Sequence, residues 1–523
     1  MTFPANETAE APASPYVPRI TAARPLAALL ALAIAAGYFF IGYSTVLADF
    51  GGDATAYWLT AQGWSPWFPA TPLQREFAAG STYPPLYPLV LAWTGASQTL
   101  LAAHLATVAL LLGGIGALCW FCRRAGLDGL ATTGIAVTYA CCATVRYEGL
   151  DLHSEPLYLL WSMAALGAGI ALARRPQAGL ALLLGALVAA ALLTRSAGLT
   201  LLIALAATGI RRREGVWFLA LLPGLFALAV NTWLQGSAQR YSGEFLAQWA
   251  LSGLAEKLLQ QLHALAAGWT VAIAGQGAPL FALWVLGFCG LVALAAACCR
   301  AWQGHFDGFY GLCSLALVLV WPYPAETVRL LMPLLGLALA QVCLAARSIW
   351  DCRKTLALRQ AWVLVLLFAL VDTARFASRF TIPLPEGLAP YRHTLFWHQP
   401  DATQALGAIG FMQGAVALLD KLPALVPAGE CVYAIKPSIV AALGGRPSRA
   451  PPPAQRTDSE FQSDLAAGGC RYLLLLRIFS PSYPEPFYPA ARMKDSLQVV
   501  ASASLATQPD QPAALLARRL PPP

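Results

Sequence analysis

Charged side chains are scarce: they make up 11% of the 523 residues, against roughly 25% in ordinary soluble domains. A soluble chain of this length needs a charged skin that 34 basic and 26 acidic residues do not supply. The shortage excludes a cytosolic enzyme, a nucleic-acid binder and a disordered scaffold. The 43 glycines and 38 prolines follow no fixed period, which excludes a collagen-like rod. What the chain has instead is apolar residues, at 58%. They are gathered into runs near the 20 or so residues that a hydrocarbon core about 30 Å thick requires. The sequence is that of a polytopic membrane protein.

The runs are Pro25–Leu47, Leu100–Phe121, Leu130–Val145, Pro156–Ala173, Ala178–Leu193, Ala197–Ile210, Val216–Leu234, Pro279–Cys299, Phe309–Trp321, Leu330–Ala346 and Ala361–Val371, the last extended to Phe376. They predict an all-α bundle of about eleven transmembrane helices. The net charge of +8 matters less than where it sits. Arg123-Arg124, Arg174-Arg175, Arg211-Arg212-Arg213, Arg300, Arg347, Arg353, Lys354 and Arg359 punctuate alternate gaps between runs. That rhythm is the positive-inside signature. It predicts a cytoplasmic leader over residues 1–24, a transmembrane domain over 25–376, and outer loops at 48–98, 146–155 and 235–278. Within these loops Asp53–Gly63 reads as a short helix that Asp53 caps and Gly63 ends. Phe245–Ala267 is amphipathic and predicts a helix lying along the outer surface. Beyond residue 377 prolines, polar residues and β-type runs (Cys431–Ile435, Arg471–Leu476) predict a small α/β domain over 377–523 outside the cytoplasm. The expected setting is a bacterial inner membrane, with that domain in the periplasm.

Most of the twelve cysteines lie in or beside apolar runs and read as small core fillers. Cys119-x-x-Cys122 has redox or metal spacing, but it ends an apolar helix with no second pair, which favours the filler reading. Cys431 and Cys470 stand apart. They are the cysteines of the outer domain, in an oxidising space, and are candidates for a disulfide.

Charges beside a membrane are costly and often functional. Three groupings fall on the outer side: Asp49-Phe50-Gly51-Gly52-Asp53, the stretch Arg146–Glu155, and Pro322–Arg329. Each has a plain structural explanation: Asp53 as a cap, Ser154-Glu155-Pro156 as a helix start, Arg329 as a snorkelling anchor. Their presence on one face argues for a site where carboxylates, a histidine and a guanidinium meet. Arginine grips phosphate oxygens bidentately, and a carboxylate near a hydroxyl serves as general base. A phosphate leaving group needs no protonating acid. The set therefore suits an inverting displacement at a sugar carbon, with a lipid-phosphate donor because nucleotide sugars are absent outside the cytoplasm. The competing class is a transporter or flippase that moves a lipid-linked headgroup without chemistry. Gathering of the charges at one face, and the lack of paired broken helices, favour the enzyme.

At these residues the chain resembles the GT-C superfamily of integral-membrane glycosyltransferases, in the branch holding protein O-mannosyltransferases and the transferases that decorate lipid A. The resemblance rests on Gly52-Asp53-Ala54-x-x-Tyr57-x-x-x-Ala61, Tyr83-Pro84-Pro85-Leu86-Tyr87-Pro88, His153-Ser154-Glu155-Pro156-Leu157-Tyr158, Leu193-Thr194-Arg195-Ser196-Ala197-Gly198-Leu199 and Arg329-Leu330-Leu331-Met332-Pro333-Leu334-Leu335. It implies that Asp53 is the catalytic base, with Asp49 in reserve. Arg329 and Arg195 would take the donor phosphate, and Tyr57 and Tyr83 line the pocket. Glu148, Asp151, His153 and Glu155 would orient the acceptor or a metal. It also implies a polyprenyl-phosphate sugar donor and a lipid, glycan or protein acceptor. Relatives often carry two adjacent acids in the first loop; here Gly51 and Gly52 separate Asp49 from Asp53. Asp53, Asp151 and His153 would suit Mg²⁺ or Mn²⁺, although nothing in the spacing requires one.

Overall fold

The structure is a computed structural model that describes residues 23–46, 52–234, 254–321, 323–349, 355–384, 388–394, 402–478, 483, 485–505 and 508–520. Asp49, most of the leader, Arg353, Lys354 and the start of the expected surface helix lie outside the described residues.

The chain is a multi-pass helical membrane protein with a small sheet near its C-terminus. Among the described residues six helices are long and apolar enough to cross a bilayer: Leu100–Arg124, Glu155–Arg174, Gly215–Leu234, Leu280–Trp302, Thr327–Ala346 and Leu406–Leu425. Four shorter apolar helices accompany them, Ala27–Ile41, Gly129–Cys141, Ala178–Thr194 and Phe306–Val320. Leu406–Leu425 meets the criterion by composition, yet Ala415, Leu418, Leu419 and Leu422 pack with strand residues Val432, Leu474 and Leu516 in one apolar cluster. It is a core helix of the sheet-bearing part. The bundle helices instead show apolar side chains outward. On Leu280–Trp302, Trp284, Phe288 and Leu291 are 74%, 63% and 66% exposed, spaced along one face of the helix. In a chain this poor in charge such a face belongs against lipid.

The short helix expected over Asp53–Gly63 is present over Asp53–Trp64, but Asp53 does not cap it. Gly52 is the N-cap, with no side-chain hydrogen bond there. Gly63 does not end it either: a Cβ there would meet the Gln74 carbonyl and the Ala78 Cβ at 2.5 Å. Its role is close approach to the neighbouring helix Pro72–Ala79. That helix begins with a reciprocal capping box between Thr71 and Gln74, which satisfies two amide donors left open at a helix start.

The amphipathic stretch expected over Phe245–Ala267 is helical over Leu254–Ala274 among the described residues. Leu258, Leu259 and Leu262 are exposed, whereas Ala272, Ile273 and Ala274 are buried in the main bundle core. The helix dips from the surface into the bundle, because its polar residues stop at His263 and the remaining turns carry only small and apolar side chains with Trp269 and Thr270.

The sheet has the order β2-β1-β3-β5-β4, with β1 Val432–Ala434, β2 Ser448–Arg449, β3 Tyr472–Leu476, β4 Leu497–Leu505 and β5 Gln508–Arg519. β1 lies parallel to β2 and β3, and the β4–β5 hairpin runs antiparallel at the other edge. Cys431 and Cys470, at the entries to β1 and β3, are joined by a disulfide. The part is tied to the bundle at two places. Ala442 and Leu443, from the helix Pro437–Leu443, pack on Ala54, Trp58, Ala103 and Leu152. Ile409 and Met412 join Ala143, Tyr147 and Phe376.

Candidate active site

Five separate segments bring charged groups to one end of the bundle. The first turn of Asp53–Trp64 carries Asp53. The helix Ala143–Leu150 carries Glu148, and the turn after it supplies Asp151, His153 and Ser154. Glu155 opens the helix Glu155–Arg174. Arg195 is the C-cap of Ala178–Thr194, and Arg329 lies one turn into Thr327–Ile349.

Arg329 is the hub. Its Nη1 is 2.7 Å from Asp53 Oδ2, its Nε and Nη2 donate to the two oxygens of Glu155, and Glu148 Oε2 is 3.9 Å from its Nε. Glu155 is shared, since Arg195 Nη1 also contacts it and donates to Ser154 Oγ at 3.2 Å. Both guanidinium groups are 16% exposed and Glu155 is 1% exposed. Two cations and three carboxylates thus compensate one another away from bulk water, as groups in so dry a place must.

Asp53 has both oxygens engaged, because the Tyr83 hydroxyl donates to Oδ1 at 2.9 Å. Burial alone would push its carboxyl up. The guanidinium of Arg329, with His153 and the Tyr83 hydroxyl, holds it well below the usual carboxylate range instead. Tyr57 packs against Tyr83 with ring centroids 4.9 Å apart and against Tyr87 edge-on at 5.1 Å. Its hydroxyl shares a hydrogen bond with Ser154 Oγ at 3.1 Å. Tyr57 and Tyr83 therefore form one wall beside Asp53.

Behind Glu148 the buried groups continue. His153 Nδ1 is 2.8 Å from Glu148 Oε2 and its Nε2 is 4.0 Å from Asp151 Oδ2. His104 Nε2 approaches Asp151 Oδ1 at 3.6 Å. Burial opposes ionisation of Asp151, yet hydrogen bonding to His104 and the charges of both imidazoles hold its carboxyl down.

Every sequence-selected side chain among the described residues joins this constellation: Asp53, Tyr57, Tyr83, Glu148, Asp151, His153, Glu155, Arg195 and Arg329. Asp49 lies outside the described residues. Two members escaped the sequence reading. His104 sits one turn into the apolar helix Leu100–Arg124, where an isolated imidazole was the available signal. Glu326 lies in the turn Pro324–Glu326, inside the third charged grouping, and accepts from Trp321 Nε1 at 2.9 Å. Burial, with Asp53 nearby, raises its carboxyl, opposed by Arg329.

The set expected to suit a divalent cation does not converge. Asp53 is committed to Arg329 and Tyr83, whereas Asp151 is placed between His104 and His153. Among the described residues no group of three His, Cys, Asp or Glu side chains is arranged to hold a metal ion.

Fold and site together define a class: a multi-pass helical membrane protein with an arginine–carboxylate cluster at one end of its bundle. Among solved structures, ArnT from Cupriavidus metallidurans bound to undecaprenyl phosphate is similar with a TM-score of 0.53 and 12% identity, over 95% of this chain and 98% of that one. Its apo state gives 0.52 and 13% over the same shares. The oligosaccharyltransferase AglB from Archaeoglobus fulgidus, in complex with an inhibitory peptide and a dolichol-phosphate, has a TM-score of 0.48 at 10% identity, over 85% of this chain and 69% of that one. No family model matches the sequence, and no curated protein matches it. The likeness to ArnT is one of fold.

Proposed function

We propose that the chain is an inner-membrane glycosyltransferase. In this reading it moves a hexosyl or pentosyl group from a polyprenyl-phosphate-linked donor to a lipid, glycan or protein acceptor at the outer face. The observation that carries the proposal is the meeting of Arg195, Arg329, Asp53 and Glu155 in one partly buried cluster, within a fold shared with a protein solved on undecaprenyl phosphate. The topology belongs to the same proposal. Eleven crossings with a cytoplasmic N-terminus would set every site-bearing turn outside, the Arg123-Arg124, Arg174-Arg175 and Arg211–Arg213 clusters inside, and residues 377–523 in the periplasm.

The two arginines divide the work. All three N–H edges of Arg329 engaged by Asp53 and Glu155 make it the group that organises the carboxylates. The contacts of Arg195 among the described residues use Nη1, which leaves Nε and Nη2 as a fork for phosphate oxygens. With phosphate on Arg195, the anomeric carbon lies toward the carboxylates, and an acceptor hydroxyl attacks from the side opposite the phosphate. A carboxylate takes its proton, and inversion follows. Asp53 is the first candidate for that carboxylate.

The proposal is tested with purified protein in lipid nanodiscs, given a panel of undecaprenyl-phosphoryl pentoses and hexoses together with extracted envelope lipids and glycans. Transfer is read by mass spectrometry as released undecaprenyl phosphate and a sugar-bearing product. Translocation of an intact donor across a vesicle bilayer, with no cleavage of any donor in the panel, would replace the enzyme with a flippase.

A further inference from the structure

The site contains more carboxylates than its two arginines bind, and they are held differently. Asp53 has a partner on each oxygen, at 2.7 and 2.9 Å. Glu155 is shared by both guanidinium groups. Glu326 stands on the short turn Pro324–Glu326 that leads into the Arg329 helix. Only one of its oxygens is engaged among the described residues, by the indole N–H of Trp321. The turn itself is pinned from behind, since Gln261 of the helix Leu254–Ala274 donates to the Trp321 carbonyl and the Trp321 ring packs edge-on to Tyr323.

We propose that Glu326 is the catalytic residue that removes the acceptor's proton, with Asp53 acting as the fixed partner of Arg329 that aligns the acceptor. This rests on the glycosyltransferase reading above. In the step, the acceptor hydroxyl gives its proton to the open Oε1 of Glu326 while its oxygen forms the new bond to the anomeric carbon. The bond from that carbon to the phosphate oxygen breaks, its electron pair stays on the phosphate, and polyprenyl phosphate leaves. Glu326 ends protonated and returns its proton to water from its partly exposed position.

The electrostatics run the same way. A base works best when its affinity for protons is matched to the operating pH, and a pair of acids pushed in opposite directions marks a division of roles. Asp53 is pushed down by Arg329, and Glu326 is pushed up by burial. The charged groups facing Glu326 are Arg329 from the helix that follows, Asp53 from the first outer helix and Arg195 from the turn before Leu199–Arg212. The helix packed behind its turn contributes the neutral Gln261.

The test uses nanodisc-embedded full-length protein and release of undecaprenyl phosphate from whichever undecaprenyl-phosphoryl sugar the wild type cleaves. Wild-type kcat/KM should show an acid limb above the ordinary glutamate value of about 4.3. Glu326→Gln should lower kcat by roughly 10²- to 10⁴-fold and abolish that limb, with binding of undecaprenyl phosphate changed less than about twofold. Trp321→Phe, which removes the hydrogen bond that favours the ionised carboxylate, should move the limb to higher pH; a purely structural Glu326 would leave it in place. Near wild-type turnover in Glu326→Gln, or an acid limb that neither variant moves, overturns the assignment and returns the base to Asp53. If wild type cleaves no donor in the panel, it is the glycosyltransferase reading that fails.

Discussion

Replacing Arg329 with Gln tests the electrostatic core of the site. The guanidinium holds Asp53 at 2.7 Å and Glu155 through two N–H groups. Glu155 keeps Arg195 after the change, so the loss concentrates on Asp53, which retains the Tyr83 hydroxyl alone. Removing one partner of a buried pair costs about 3–5 kcal/mol. Asp53 is 29% exposed, which puts the expected loss at the low end, about 3 kcal/mol. For a large chain this is a fall in Tm of roughly 5 °C. The pH dependence has a definite sign. Because Asp53 is held below its ordinary range, its ion pair stabilises the fold fully above that range, and the contribution fades as pH falls toward the folded value. In Arg329→Gln burial is opposed only by His153 and the Tyr83 hydroxyl, so the carboxyl moves up and protonation as pH falls removes the uncompensated charge. Differential scanning fluorimetry in detergent should therefore show the deficit near pH 7 and a narrower one near pH 4.5. A deficit of equal size at both pH values would refute the account of Asp53 as a carboxylate held down by Arg329.

Other perturbations separate the remaining roles. Arg195→Gln should weaken binding of undecaprenyl phosphate about 10- to 100-fold, the worth of a charged hydrogen-bond pair, as read by calorimetry; unchanged affinity would move the phosphate elsewhere. Tyr83→Phe removes the donor to Asp53 Oδ1 and should cost about 1 kcal/mol, near fivefold in kcat, with little change in donor affinity; a rise in KM alone would make Tyr83 a binding group. Cys431→Ser with Cys470→Ser opens a link spanning 39 residues, worth about 4 kcal/mol by chain entropy. Limited proteolysis should then cut the sheet-bearing part first, and equal resistance with and without reductant would count against it.

The site was legible because this chain has so few charges to spend on anything else. In an apolar sequence Asp53, Glu148, Glu155, Arg195 and Arg329 stand out, and the alternation of basic clusters indicates which ends of the runs share a side. The three-dimensional partner choices were not legible. Asp53 in the first turn of a helix looks like a cap, yet its side chain turns sideways to Arg329, an ion pair across 276 positions of sequence that no local pattern reports. His104 was hidden because a single imidazole in an apolar helix gives no periodic signal, and Glu326 because its neighbour Arg329 offered the stronger reading. In the C-terminal part the strands around Cys431–Ile435 and Arg471–Leu476 are β-type in composition. In the β4–β5 hairpin Val499-Val500 and four leucines are diluted by Ala, Asp and Pro, residues weak in strand preference, and β5 is held by pairing with β3.

The sheet-bearing part is more than an appendage to the bundle. Leu443 and Ala442 press on Ala54 and Trp58, within two turns of Asp53 on the same helix, and on Leu152, which lies between Asp151 and His153. Ile409 and Met412 reach Tyr147, adjacent to Glu148. On the inner side Arg146, two residues before Glu148, is paired with Asp372 and bonded to Thr373 Oγ1 at 2.6 Å, and Thr144 Oγ1 donates to the Val328 carbonyl at 3.1 Å, next to Arg329. The carboxylate-bearing segments are thus clamped between the bundle and the C-terminal part. Short helices such as Ala143–Leu150 have little stability of their own, so their placement depends on these contacts. A site assembled from five segments needs such backing, because an error of about 1 Å in one carboxylate is enough to lower turnover about 100-fold.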